Sequence, residues 1–194
     1  MSITVTLPFI AMCIMFIIID GTLLPVAVLL FALLHELGHL LSMKLCGYRV
    51  KRFEITAVGG NIVCEEKHKS YFFDIIVALS GPMVNFILII LIYKLIGLGF
   101  FAKNGMFYLA VNFLLMAVNL LPVSFLDGGR ALSALLSLFI LPDKRERVMY
   151  VVSLIFSTFL VVGGAYLLYI TGFNFSLLLI GVYLTFMLLK VGCK

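Results

Sequence analysis

Runs of almost uninterrupted apolar residues, most of them close to a bilayer's width when helical, divide this chain: Ile3–Ile19, Leu23–Leu45, Phe72–Ile96, Phe107–Leu126, Val148–Ile170 and Leu177–Leu189. At about 1.5 Å per residue, some 20 residues cross the ~30 Å hydrocarbon core of a bilayer. Inside that core a backbone must satisfy its own N–H and C=O groups, which a helix does within one segment. The runs therefore predict an all-α polytopic membrane protein of about six transmembrane helices. The stretch Gly129–Leu141 is too short to cross comfortably and is expected to extend the fourth helix or to lie at the interface.

Composition agrees with that reading. The chain is 64% hydrophobic and only 12% charged, against about 45–50% and about 25% in soluble domains, and its mean hydropathy is +1.25. Six spans use most of the 194 residues, so a single membrane-embedded domain over residues 1–194 is expected. The four cysteines, Cys13, Cys46, Cys64 and Cys193, form no CxxC and no close pair, which argues against a disulfide framework or a cysteine metal site. The N-terminus has no basic region ahead of its apolar run, so that run reads as a retained span.

The formal charge of +5 does not imply nucleic acid, because the basic residues lie between apolar runs instead of on one soluble face. They set topology. With six spans, Lys44, Arg49, Lys51, Arg52, Lys67, Lys69, Arg130, Lys144, Arg145, Arg147, Lys190 and Lys194 share one side with both termini, leaving only Lys94 and Lys103 opposite. The positive-inside rule makes the crowded side cytoplasmic. His35 then lies on the order of 13 Å from Lys44 along a helix, in the cytoplasmic half of the bilayer, and Asp127 arrives at the same side.

Val50–Glu66 differs from its surroundings. Its alternation of Phe53, Ile55, Ile62 and Cys64 with charged residues, around Gly59-Gly60, suggests a short amphipathic β-hairpin between helices two and three. Such a hairpin either floats at the interface or offers an edge to an extended peptide.

Ionisable residues within apolar runs cost about 2.5–3.5 kcal/mol each on insertion scales and mark function by default. His35 and His39 stand four apart on a helix, so both imidazoles can reach one metal, while Glu36, about 100° round, can touch a metal-bound water. Ala32, Gly38 and Ser42 give that region small residues, which admit a neighbouring helix. Taken alone, the same pattern also describes two interhelical hydrogen-bonding histidines. The remaining histidine, His68, falls in the basic loop. A catalytic zinc usually takes three protein ligands and a water. Among the acids only Asp127 has the right depth; it follows Pro122 and precedes Gly128-Gly129, a helix-breaking setting, and an Asp capping a helix start there is the plainer alternative.

Together, His35-Glu36-Leu37-Gly38-His39, the Asn119-x-x-Pro122-x-x-x-x-Asp127-Gly128 segment and Ser80-Gly81-Pro82-Met83-Val84-Asn85 resemble the site-2 protease family of intramembrane zinc metalloproteases (peptidase family M50). The likeness covers most of Leu30–Arg130 and is greatest to the sporulation branch that processes a membrane-associated pro-sigma factor. It implies one Zn2+ per chain held by His35, His39 and Asp127, with Glu36 as the catalytic base. It also implies Asn119, Gly59 and Gly60 as substrate contacts, and Gly38, Gly81, Pro82, Asn85, Pro122 and Gly128 as residues shaping the site. The implied reaction is hydrolysis of a peptide bond in or near a membrane segment of a protein substrate. A membrane regulator and a homo-oligomer are both compatible with it. Because the chain stops just after span six, no PDZ insertion and no C-terminal nucleotide-sensing domain are expected. A zinc transporter would need a second set of polar ligands across the bilayer, which the apolar outer halves of the spans do not supply. An inactive membrane adaptor is opposed by the intact His35, Glu36, His39 and Asp127.

The charge division predicts that cysteines introduced into Gly47–Ser70 resist an impermeant thiol reagent added outside intact cells and react once the membrane is opened. Efficient labelling from outside would invert the topology.

Overall fold

The computed structural model describes residues 2–5, 24–56, 59–64, 70–101 and 103–192. In order these form strand β1 (Ser2–Val5), helix α1 (Leu24–Leu45), strands β2 (Val50–Thr56) and β3 (Gly59–Cys64), and helices α2 (Tyr71–Gly97), α3 (Gly105–Asn119), α4 (Asp127–Leu136), α5 (Pro142–Thr171) and α6 (Ser176–Gly192). Most of the expected span Ile3–Ile19 lies outside the described residues. The protein is a membrane protein with several apolar helices. Among those described, α1, α2 and α5 are long and apolar enough to cross a membrane, while α3 and Ser176–Lys190 are apolar but shorter. The chain divides into two compact units, Met1–Val118 and Asn119–Lys194.

In the first unit the polarity of a soluble protein is reversed. Helix α1 buries Phe31, His35, Gly38, His39 and Ser42, whereas Leu30, Leu37 and Leu41 are exposed, two stripes that a 3.6-residue period keeps apart. Lipid accepts the leucines and rejects the histidines. Helices α1 and α2 pack closely because Gly38 is bare: a Cβ there would lie 2.7 Å from Val84 Cγ2 and 2.9 Å from the Ser80 carbonyl oxygen. Helix α2 starts at Ser70, whose hydroxyl accepts the Phe72 N–H at 3.3 Å. Tyr48, in the turn after α1, donates its hydroxyl to Asp74 Oδ1 at 2.7 Å. Helix α3 joins through Tyr108, which meets Phe31 edge-on with centroids 5.6 Å apart and Phe101 at 5.5 Å.

The strands form one sheet in the order β1-β2-β3. β2 and β3 run antiparallel, with Phe53 opposite Ile62 and Thr56 opposite Gly59. Gly59 and Gly60 therefore belong to β3 and not to the turn where the sequence reading put them; the connection at 57–58 lies outside the described residues. β1 pairs parallel with β2, Ile3 opposite Phe53. The three described residues of the expected first span, Ile3, Thr4 and Val5, are thus strand, because an N-terminal Ser-Ile-Thr-Val segment fits a pleated edge as readily as it fits an apolar run.

The second unit is organised by α5 and α6. A Cβ on Gly164 would strike the backbone of Leu178, and one on Gly181 would lie 2.7 Å from the Val161 nitrogen, so these two glycines set the helix separation. Gly172, at φ 74°, ends α5 in the left-handed conformation with its N–H on the Leu168 carbonyl. The segment before α4 folds onto this pair: Val123, Leu184 and Leu188 form a buried cluster with Leu121, Phe125, Leu126, Leu160 and Ile180 packed round it. Helix α3 stops at Asn119 and α4 starts at Asp127, so the run Phe107–Leu126 is not one continuous helix. Pro122 has no N–H to continue it, and the apolar residues that follow serve the unit's core instead. The stretch Gly129–Leu141 is correspondingly most of the short helix α4 and the turn after it, not an extension of the fourth helix.

Gly164 and Gly163 offer a matched test. Valine at 164 should overpack the α5–α6 contact and destabilise the protein by about 1–3 kcal/mol. At 163, where a Cβ would meet only Leu177 Cδ2 at 3.9 Å, valine should leave the unfolding temperature in detergent nearly unchanged. Equal effects would dissociate the close approach from Gly164.

Candidate metal centre

Within the first unit, the four-residue spacing of His35 and His39 on α1 turns both rings toward α2. Their Nε2 atoms lie 3.3 Å apart, and the rings stand edge to face with centroids at 5.0 Å. Each Nδ1 meets an oxygen: His35 Nδ1 faces Asn85 Oδ1 at 3.0 Å, and His39 Nδ1 faces the Val77 carbonyl at 2.8 Å. A carbonyl oxygen only accepts, so in the neutral rings the proton belongs on Nδ1 and each Nε2 carries a lone pair. Two lone pairs facing one another at 3.3 Å in a buried site repel unless a cation lies between them.

That spacing fits a metal. Two nitrogens about 2.0–2.1 Å from one tetrahedral ion are themselves about 3.3–3.4 Å apart. The space is kept by Gly81, where a Cβ would strike His39 Nε2 and come within 2.6 Å of His35 Nε2; any other residue there would fill the place in which an ion meets both imidazoles. A backbone carbonyl and a buried amide holding the far nitrogens form the kind of outer support that fixes ring orientation in metal sites.

Ser42 and Ser80 complete the surroundings of His39. Their hydroxyls lie 2.8 Å apart; Ser42 donates to the His39 carbonyl at 2.9 Å and Ser80 to the Val77 carbonyl at 2.6 Å. The Ser80 oxygen is also 3.4 Å from His39 Nδ1. The hydrogen-bonding roles of these serines and of the Val77 carbonyl were missed by sequence reasoning, which took Ser42 only as a small residue and Ser80 only as part of a motif. Ser42 carried a signal, standing one turn beyond His39 on the same buried stripe; a backbone carbonyl carries none. Glu36 is half-buried beside this pair in sequence, and Pro82 is buried within α2.

Asp127 belongs to the second unit, where it is the first residue of α4 and is buried. The N-terminus of a helix favours a carboxylate there. Arg130 Nη1 is 4.0 Å from Asp127 Oδ1, but the arginine side chain is 59% exposed, which leaves the pair worth about 0–1 kcal/mol. The Gly128-Gly129 pair serves the loop: a Cβ on Gly128 would strike the Leu120 carbonyl, and one on Gly129 the Val123 carbonyl. The loop is fastened on its other side by Ser153 of α5, whose hydroxyl accepts the Ser124 N–H at 3.0 Å and lies 2.8 Å from the Ser124 hydroxyl. Asn119 is the last residue of α3 and half-buried. The side chains around Gly59 and Gly60 are outside the description.

The profile of peptidase family M50 matches residues 23–104 and 101–161. This chain belongs to peptidase family M50. It is similar to the zinc metalloprotease MJ0392 of Methanocaldococcus jannaschii, 33% identical over 118 residues that make up 57% of this chain and 34% of that protein. It is also similar to stage IV sporulation protein FB of Bacillus subtilis, 28% identical over 158 residues, 80% of this chain and 54% of the relative. The chain thus spans about half, or less, of the length of these two relatives. Its fold is that of the site-2 protease from Methanocaldococcus jannaschii, with a TM-score of 0.65 at 22% identity over 97% of this chain and 89% of that one. Within the M50 family match lie His35, Glu36, His39, Gly81, Asn85 and Asp127.

Alanine at Gly81 should reduce bound metal at least about tenfold, measured by elemental analysis of the purified protein, while helicity by circular dichroism stays the same. Full metal content in Gly81→Ala would place the ion elsewhere.

Proposed function

We propose that this chain is an intramembrane zinc metalloendopeptidase that hydrolyses a peptide bond in or near a membrane segment of a protein substrate. The observation that carries the reading is the pair of Nε2 atoms 3.3 Å apart over Gly81, in a chain that belongs to family M50. His35, His39 and Asp127, all buried, are the proposed ligands of one zinc per chain: two neutral imidazoles and one carboxylate leave a fourth position for water.

A zinc ion held by His35, His39 and Asp127 would supply Lewis-acid chemistry there, activating a water and polarising the substrate carbonyl. Glu36 leaves the metal to its neighbours, being one residue round the helix from His35. Its carboxylate takes the proton from the attacking water and returns it to the amine that leaves. Asn119, in the segment before Asp127, is the proposed amide contact to the substrate carbonyl.

A helical substrate hides its backbone, so it must unwind to be cut. An extended stretch is best held by a strand edge. β1 already covers one edge of β2, so the substrate is proposed to pair along the outer edge of β3, Gly59–Cys64, at about 0.5–1.5 kcal/mol for each hydrogen bond. With the six spans and cytoplasmic termini expected from the charge division, this edge and the zinc are proposed to lie on the cytoplasmic side, where water has access. A membrane-associated pro-sigma factor of a spore-forming cell is the proposed substrate class, since one relative is named as a stage IV sporulation protein.

Purified protein should cleave such a substrate, and Glu36→Gln should lower the rate about 10²- to 10⁴-fold with zinc still bound. Asp127→Ala should lose zinc. A Glu36→Gln variant that cleaves at the wild-type rate, or an Asp127→Ala variant with full zinc, would overturn the respective role.

Proline scanned through Gly59–Cys64 should cut cleavage of a membrane-spanning substrate while zinc content is unchanged. Cleavage indifferent to all of these prolines would remove the sheet from the substrate's path.

A further inference from the structure

His35 and His39 are held by unlike groups. His39 leans on a backbone carbonyl, which cannot rotate away from it, whereas His35 leans on the side-chain amide of Asn85. An amide presents either an acceptor or a donor to its neighbour, and the two faces would put the imidazole in opposite tautomers. What decides the face is therefore decisive for His35.

Asn85 is wholly buried on α2, next to the equally buried Asn112 of α3. Its Nδ2 donates to the Asn112 backbone carbonyl at 3.5 Å. The contact is long, yet it fixes direction: turning the amide over would set Oδ1 against a carbonyl oxygen and an NH2 against His35 Nδ1. Asn112 is itself anchored, donating its Nδ2 to the Tyr108 carbonyl one turn earlier at 2.9 Å. Tyr108 in turn packs edge-on against Phe31, one turn before His35 on α1. The polar chain from α1 through α2 to α3 thus runs in one sense only.

We propose that Asn85 is the positioning residue that locks His35 as the Nδ1–H tautomer, turning its Nε2 lone pair to the metal, with α3 setting the direction of the amide. The inference rests on the zinc reading for what Nε2 then binds, but the tautomer itself is a property of the metal-free protein. A free imidazole prefers the proton on Nε2, the form in which His35 has no lone pair to offer at the site.

The test uses metal-free protein in detergent, labelled with 15N in its three histidines; signals are assigned with His35→Gln and His68→Gln, and zinc affinity is measured by competition with a chelator. Wild-type His35 should appear as Nδ1–H. In Asn85→Leu, which keeps the bulk and removes the acceptor, His35 should shift to Nε2–H and zinc affinity should fall about 10- to 100-fold. Asn85→Asp, which keeps the acceptor, should restore the Nδ1–H signal and most of the affinity. An Asn85→Leu protein with unaltered tautomer and affinity would overturn the proposal, and so would equal losses in the Leu and Asp variants, which would make Asn85 only a packing residue. Wild-type protein that shows Nδ1–H at His35 but takes up no zinc would defeat the zinc reading while upholding the lock.

Discussion

Lipid cannot solvate a polar group, and the buried polar side chains of α1 are arranged under that constraint. Leu30, Leu37 and Leu41 face outward from α1 while His35, His39 and Ser42 face inward. Once inside, an imidazole must find a partner for each nitrogen, or the cost of burial is not met. Asn85 and the Val77 carbonyl meet the two Nδ1 atoms, and the two Nε2 atoms lie 3.3 Å apart. A pair of imidazole nitrogens at the spacing of two metal ligands is the result.

Missing side chains matter as much as present ones. Gly38 lets α2 come close enough for Asn85 and Val77 to reach the histidines, and Gly81 keeps the space between the two Nε2 atoms. Gly128 and Gly129 do the same for a backbone loop, allowing the chain before α4 to fold back on the start of that helix. Gly164 and Gly181 set the spacing of α5 and α6. In a membrane, where apolar side chains gain nothing by leaving lipid for protein, close backbone approach is a principal source of helix association, so glycines appear at each such contact.

The sheet shows a different economy. A hairpin alone has two unpaired edges, each a template for another strand. β1 covers one of them by pairing with β2, so the outer edges of the described sheet are those of β1 and β3, and of the hairpin's own edges only that of β3 is left open. On the proposed reading this restricts where an unwound substrate can be held. The parallel sense of the β1–β2 pair requires a long connection between the strands, and α1, which carries the histidines, lies within it.

How much of this was legible in the sequence follows from the range of the interactions involved. Hydropathy and helical period are local, so α1, α2, α5 and α6 could be read directly, and the i, i+4 spacing of His35 and His39 allowed a shared metal that only the other motifs made the preferred reading. Pro122 and Gly128-Gly129 marked a break before Asp127. But an apolar residue is equally at home in a span or in a core, so hydropathy carried the fourth span through to Leu126, whereas packing of Val123 and Leu126 against α5 and α6 ended it at Asn119. The Ser-Ile-Thr-Val segment at the start was likewise given its place by strand partners distant in sequence, and the Gly59-Gly60 pair by its register with Ile55 and Thr56. Asn85 was recognisable as a residue near the site, yet its direction of hydrogen bonding was not, because that depends on the Asn112 carbonyl 27 residues away. The sequence determined which groups must avoid lipid; only the tertiary structure decided which atoms they meet, since that depends on contacts between helices that no local pattern encodes.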